Sequence, residues 1–244
     1  MDSAQAIPAA TLVCVRERAG QPPALLMVER GEGMAFAAGA LVFPGGRIDP
    51  GDAALGGAEA AAKVAAIRET IEETAIPVGL APLPSAATAL DMQTRLLGNA
   101  QFGAVLVDAG AALDLDALIP FARWVPKFHA TRRFDTMFFL ALCPDGWEPR
   151  IVAGECSAAH WIGAAEVLER DAAGTARLIF PTRRNLERLA QHDSFDAMRA
   201  DALAHVIEPI SPWVEERDGQ NFITIPQGIG YPVTQERLDG LWRG

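Results

Sequence analysis

Two stretches decide the reading: Phe43-Pro44-Gly45-Gly46-Arg47-Ile48-Asp49-Pro50-Gly51-Asp52 and, further on, Arg68-Glu69-Thr70-Ile71-Glu72-Glu73. The first follows a short apolar run, Ala40 to Phe43, and reads as a strand entering a tight loop at Pro44-Gly45-Gly46. The second closes residues 58–74, strong helix formers without proline, a helix that Pro77 brings to an end. At about 100° per residue, Glu69, Glu72 and Glu73 fall within an arc of roughly 100° on one helix. Like charges so placed repel. The stripe is tolerable when solvated and favourable when a hard divalent cation sits on it, because such a cation takes oxygen ligands and keeps waters and phosphate oxygens in its shell. Arg68 stands four residues before Glu72, where it can pair with that carboxylate. An acidic string by itself is ordinarily a solvated face. The glycine-rich loop ahead of it brings backbone carbonyls and amides close to a ligand and favours the cation site.

Together the two stretches resemble the box of the Nudix family, G-x5-E-x7-R-E-U-x-E-E-x-G-U with U a bulky aliphatic. Here Gly46 is followed by five residues and Asp52, and then by Arg68-Glu69-Thr70-Ile71-Glu72-Glu73-Thr74-Ala75-Ile76. The chain departs from the pattern in four places. Asp52 stands for the glutamate, fifteen residues rather than seven separate it from Arg68, Thr70 replaces an aliphatic, and Ala75 replaces the glycine. Glu59 is an alternative occupant of the Asp52 place. The resemblance implies an α/β/α sandwich with a mixed β-sheet and an Mg²⁺- or Mn²⁺-dependent hydrolase that cuts a diphosphate linkage in a nucleotide-like substrate. It implies Glu69 and Glu73 as metal ligands one turn apart, Glu72 as a third, the Gly46 carbonyl as a further donor, and Arg68, Glu69 and Glu72 as catalytic groups. A non-catalytic sensor on the same fold is the alternative, as is a hydrolase of ADP-ribose or dinucleotides.

A looser similarity reaches the acyl-CoA diphosphatase branch, which has an expanded box. It runs through residues 39–46, Trp124 with Arg132-Arg133-Phe134-Asp135-Thr136, and Pro181-Thr182. It implies coenzyme A or an acyl-CoA as substrate. Arg30 and Gly39 fit that branch's other signature, but no second arginine lies between them. Arg30, Arg47, Arg132 and Arg133 are the candidate substrate-binding arginines, since a guanidinium fork suits phosphate. Glu155, ahead of Trp161 on a further strand, is the candidate general base or extra metal-shell carboxylate.

The remaining chain frames these elements. Residues 10–17, 23–29, 118–125, 133–142 and 149–162 read as strands. Residues 87–106, 164–170 and 182–204 read as helical, the last broken near His192-Asp193-Ser194. The expected organisation is a domain over 1–206 that includes the added helices. A C-terminal extension over 207–244, rich in proline and glycine, is expected to be irregular and packed on the domain. With 31 acidic against 21 basic residues and a net charge of -10, a nucleic-acid backbone is not an expected partner. No G-x-x-x-x-G-K-[ST] occurs, which excludes P-loop chemistry. His129, His160, His192 and His205 show no ligand spacing. Cys14, Cys143 and Cys156 lie far apart and read as free thiols of a reducing compartment. No apolar stretch is long enough to span a bilayer, so the expectation is a cytoplasmic protein without a membrane partner, and a homodimer is in keeping with the family resemblance.

Overall fold

The computed structural model describes residues 6–31, 38–125, 133–152 and 156–238. In chain order the strands are β1 (Ile7–Arg18), β2 (Gln21–Arg30), β3 (Leu41–Val42), β4 (Gly45–Arg47), β5 (Leu80–Ala81), β6 (Ala112–Leu113), β7 (Ile119–Trp124), β8 (Phe134–Leu142), β9 (Cys156–Gly163), β10 (Pro209–Ile210), β11 (Trp213–Arg217), β12 (Gln220–Thr224) and β13 (Gln235–Arg237). The helices are α1 (Pro50–Thr74), α2 (Ala86–Leu97), α3 (Phe102–Ala109), α4 (Ala164–Ala172), α5 (Phe180–Leu189) and α6 (Phe195–Ala204).

The main sheet is mixed, in the order β10-β7-β8-β1-β2-β3, with β4 added to β1 and β9 to β2. β1 runs parallel to β8 and antiparallel to β2 and β4. Alternation along β1 sends Ala10, Leu12 and Cys14 to one face and Val13 and Val15 to the other. On the first face lie Val64, Ile67 and Ile71 of α1, all fully buried, each stabilising the packing by about 1.5–3 kcal/mol. On the second lie Leu186 and Leu189 of α5, Met198 of α6, and Ile223, Ile225 and Tyr231 from the C-terminal segment. The sheet is thus covered on both sides, as the sequence implied.

Four local expectations are corrected. Gly45–Arg47 is a strand, not a loop: Gly45 and Gly46 pair with Thr11 and Ala10 of β1. The span 87–106 is two helices, because Asn99 takes a positive φ of 62° after Gly98. β9 begins at Cys156, seven residues after the expected start at 149, and residues 149–152 are coil. The C-terminal segment is not irregular. It adds β10 to the main sheet beside β7 and then forms the antiparallel sheet β11-β12-β13. The break expected near His192–Ser194 is present, and the Ser194 hydroxyl accepts from the Ala197 N–H to cap α6.

Candidate metal and diphosphate site

The site lies where α1 crosses β4. Register places Gly46 opposite Ala10 of β1, on the sheet face that α1 covers. A Cβ at Gly46 would sit 2.4 Å from the Glu69 Cδ and Oε1 and 2.5 Å from Oε2. The missing side chain is therefore the space the Glu69 carboxylate fills. One turn on, Glu73 Oε2 accepts the Gly45 N–H at 3.2 Å. Both acids turn toward the glycine pair, as the sequence anticipated.

Arg68 is the structural centre. Its Nε and Nη2 donate to the two oxygens of Asp52 at 2.9 and 3.0 Å. Nη1 donates to Glu69 Oε1 at 2.8 Å and to Glu72 Oε2 at 3.4 Å, and Nη2 also donates to the Arg47 carbonyl at 2.9 Å. All five N–H groups of the guanidinium have a place in this set. The expected pairing with Glu72 is thus the longest of its hydrogen bonds, and Asp52 and Glu69 are its main partners. Burial by itself would lower the Arg68 pKa, but the hydrogen bond to Asp52 and the charges of Glu69 and Asp52 push it above its ordinary value.

That pairing also shows what the lengthened box does. Asp52 and Arg68 are sixteen residues apart, which on a straight helix is about 24 Å. The helix folds back at Gly57, whose φ of 75° and ψ of 168° belong to a region essentially reserved for glycine. The arm before the kink packs its Leu55 against Gly103 of α3. Asp52 is 1% exposed and also accepts the Asp49 N–H at 2.8 Å. It anchors Arg68, whereas Glu59 is exposed and does not take that place.

The other candidates divide. The Arg47 side chain is exposed, and its carbonyl accepts from Arg68. Arg30 ends β2, where its N–H donates to the Ala40 carbonyl at 3.0 Å. Arg133 precedes β8, and its carbonyl accepts the Ile7 N–H at 2.7 Å. It stands at the same end of the sheet as β4, because Ile7 pairs with Phe134 and Ala9 with Arg47. Arg132, Glu155 and His129 lie outside the described residues. An open groove of 440 Å³, lined in part by Pro120, Leu142, Phe195 and Arg199, is at the other end of β8 and does not involve this chemistry.

Two features escaped the sequence reading. Gln93 of α2, 1% exposed, donates from Nε2 to the Glu72 carbonyl at 3.1 Å and the Arg150 carbonyl at 2.8 Å. A lone glutamine on another helix carries no local signal for this. On the opposite face, Asn185 Oδ1 accepts from Trp124 Nε1 at 3.1 Å and from the Tyr231 hydroxyl at 2.7 Å, tying the C-terminal segment to β7.

The donors are all oxygens, and the glycine cradle brings backbone against carboxylate, which suits a hard divalent cation. Among the described residues no three acidic, histidine or cysteine side chains converge tightly enough to hold an ion unaided. A cation here would draw on backbone, water and substrate oxygens as well. Among the described residues no helix is long and apolar enough to cross a membrane.

The family model for the NUDIX domain matches residues 6–95. The crystal structure of a NUDIX hydrolase from Alicyclobacillus acidocaldarius is similar at 31% identity and a TM-score of 0.70, covering 80% of this chain and 96% of that one. The putative nudix hydrolase 7 of Caenorhabditis elegans is 28% identical over 200 residues, which cover 82% of this chain and 66% of that protein. With glycine pair, acidic helix and sheet order in place, the match to nearly the whole length of the bacterial structure decides the matter: the chain belongs to the Nudix hydrolase family.

Proposed function

We propose that this protein hydrolyses the diphosphate linkage of a nucleoside diphosphate derivative with Mg²⁺ or Mn²⁺, and that coenzyme A or an acyl-CoA is the substrate to test first. The observation that carries the reading is the Glu69 carboxylate seated in the space a Gly46 side chain would take, with Glu73 beside it on Gly45. Glu69 and Glu73 would hold the cation, with Glu72 and the Gly46 carbonyl as further donors. A bound divalent cation neutralises the diphosphate and lowers the pKa of a coordinated water. The protein's share is placement. Asp52 fixes Arg68, and Arg68 fixes Glu69 and the β4 backbone through the Arg47 carbonyl. Water adds to one phosphorus, the bridging P–O bond breaks, and the second phosphate leaves with the bridging oxygen. Glu155 is the candidate base for the water proton. Arg30, Arg47, Arg132 and Arg133 are the candidate contacts to substrate phosphates. The coenzyme A preference rests on the sequence patches 39–46, 132–136 and 181–182. A cytoplasmic location and a homodimer belong to the same reading.

The test is a substrate panel of coenzyme A, acetyl-CoA, ADP-ribose and dinucleotides, assayed with Mg²⁺ or Mn²⁺ for wild type and Glu73→Gln, with products identified by mass spectrometry. The expected result is metal-dependent cleavage by the wild type, strongest on the CoA compounds, and a loss of about 10²-fold or more in Glu73→Gln. Wild-type turnover by Glu73→Gln removes the metal role. Tight binding of an intact diphosphate with metal present and no turnover makes the protein a sensor.

A further inference from the structure

We infer that Gln93 is a positioning residue for the metal-binding turn, acting through the backbone of Glu72 and the side chains of Glu72 and Glu73. The inference rests on the reading of that turn as a cation site. The last turn of any α-helix leaves carbonyls without intrahelical partners, and its partial negative charge disfavours nearby carboxylates. In α1 that turn carries Glu72 and Glu73 and no basic residue. Ala75, in the left-handed region at φ 57°, returns its N–H to the Ile71 carbonyl. The Glu72 carbonyl is instead met by Gln93 Nε2 at 3.1 Å. The same nitrogen donates to the Arg150 carbonyl at 2.8 Å, and the Arg150 N–H donates to the Thr74 carbonyl at 2.8 Å.

The result is a closed ring, Glu72–Gln93–Arg150–Thr74, in which one carboxamide spends both its hydrogens. Gln93 itself sits on a rigid support. α2 is capped by the Ser85 hydroxyl, which accepts the Thr88 N–H, and buries Ala89, Met92 and Leu96. The Glu73 carboxylate accepts the Gly45 N–H at 3.2 Å, and its backbone belongs to the helix turn that Gln93 holds. Removing the carboxamide leaves two carbonyls without a partner and frees the turn to shift. Outer partners of this kind change metal affinity by roughly 10- to 100-fold.

The experiment compares Gln93→Met, which keeps the volume, and the milder Gln93→Asn with a control on the same buried face, Met92→Leu. Binding of Mn²⁺ is followed by the EPR signal of the free ion, alongside kcat and KM for cleavage and the melting temperature without metal. The expected result is Mn²⁺ bound about 10-fold more weakly by both Gln93 variants, with kcat reduced more than KM is raised, and Met92→Leu unchanged in both. Wild-type Mn²⁺ affinity and kcat in either folded Gln93 variant overturns the inference, and so does an equal loss in Met92→Leu. A wild-type protein that binds no Mn²⁺, or binds it equally after Glu73→Gln, defeats the site reading itself.

Discussion

Gly46→Ala separates catalysis from folding. The added Cβ would meet the Glu69 carboxylate at 2.4–2.5 Å, whereas non-bonded carbon contacts settle near 3.5 Å or more. The carboxylate must retreat by about 1 Å. It is the end of a flexible side chain, so the fold absorbs the change for about 0.5–1.5 kcal/mol of rotamer adjustment. A metal ligand displaced that far is expected to cost on the order of 10²-fold in turnover. Gly45→Ala is the counterpart: its Cβ would lie 2.5 Å from the Ala10 carbonyl oxygen and 2.8 Å from the Thr11 Cα, and backbone within a paired strand cannot yield. The assay is kcat/KM on the preferred diphosphate across a Mn²⁺ titration, with urea unfolding of each variant. Gly46→Ala should fold and lose activity, whereas Gly45→Ala should lose stability. Full activity in Gly46→Ala refutes the seating of Glu69 as a functional contact, and equal unfolding of both variants refutes the distinction drawn between them.

Other outcomes follow from buried charge. Asp52→Asn removes one partner of a pair in which Asp52 is 1% exposed, so unfolding in urea should show a loss of about 3–5 kcal/mol, with activity falling as Arg68 loses its anchor. Glu187 of α5 is pushed up to about 7 by burial, against the pull of Arg184 and Arg183 and with Glu236 and Asp171 adding repulsion. Arg184 is shifted down, also by burial, but a guanidinium stays charged throughout this range, and its 2.8 Å contact does not offset the desolvation of Glu187. A carboxyl raised in the folded state stabilises fully below its unfolded value of 4.5 and loses that stabilisation as pH rises through about 7. Glu187→Gln should match wild type in urea-unfolding stability at pH 4 and exceed it at pH 8 by about 1–2 kcal/mol, the shift being discounted for solvent screening. An unchanged difference between the two pH values counts against the buried carboxyl.

The acidic stripe was legible because helical periodicity alone puts residues 69, 72 and 73 on one face, and the glycine pair was legible because few other roles call for that composition. The layered mixed sheet followed from the family resemblance and from the mixture of strand-like apolar runs and helices along the chain. The strand nature of Gly45–Arg47 was hidden, since glycines read as a loop until β1 supplies the ladder. The tail read as irregular because its prolines and glycines mask short strands that exist only as partners of β7 and of one another.

Sequence by itself therefore determined the chemistry carried by local spacing: an oxygen-rich helix face following a glycine-rich segment. Only tertiary structure decided which groups each acid meets. The partner of Arg68 depends on a fold-back at Gly57 that erases about 24 Å of helix. The bracing of Glu72 depends on Gln93, twenty-one residues away on another helix. Contacts of that range are set by how helices pack on a sheet, and no periodicity within either segment encodes them.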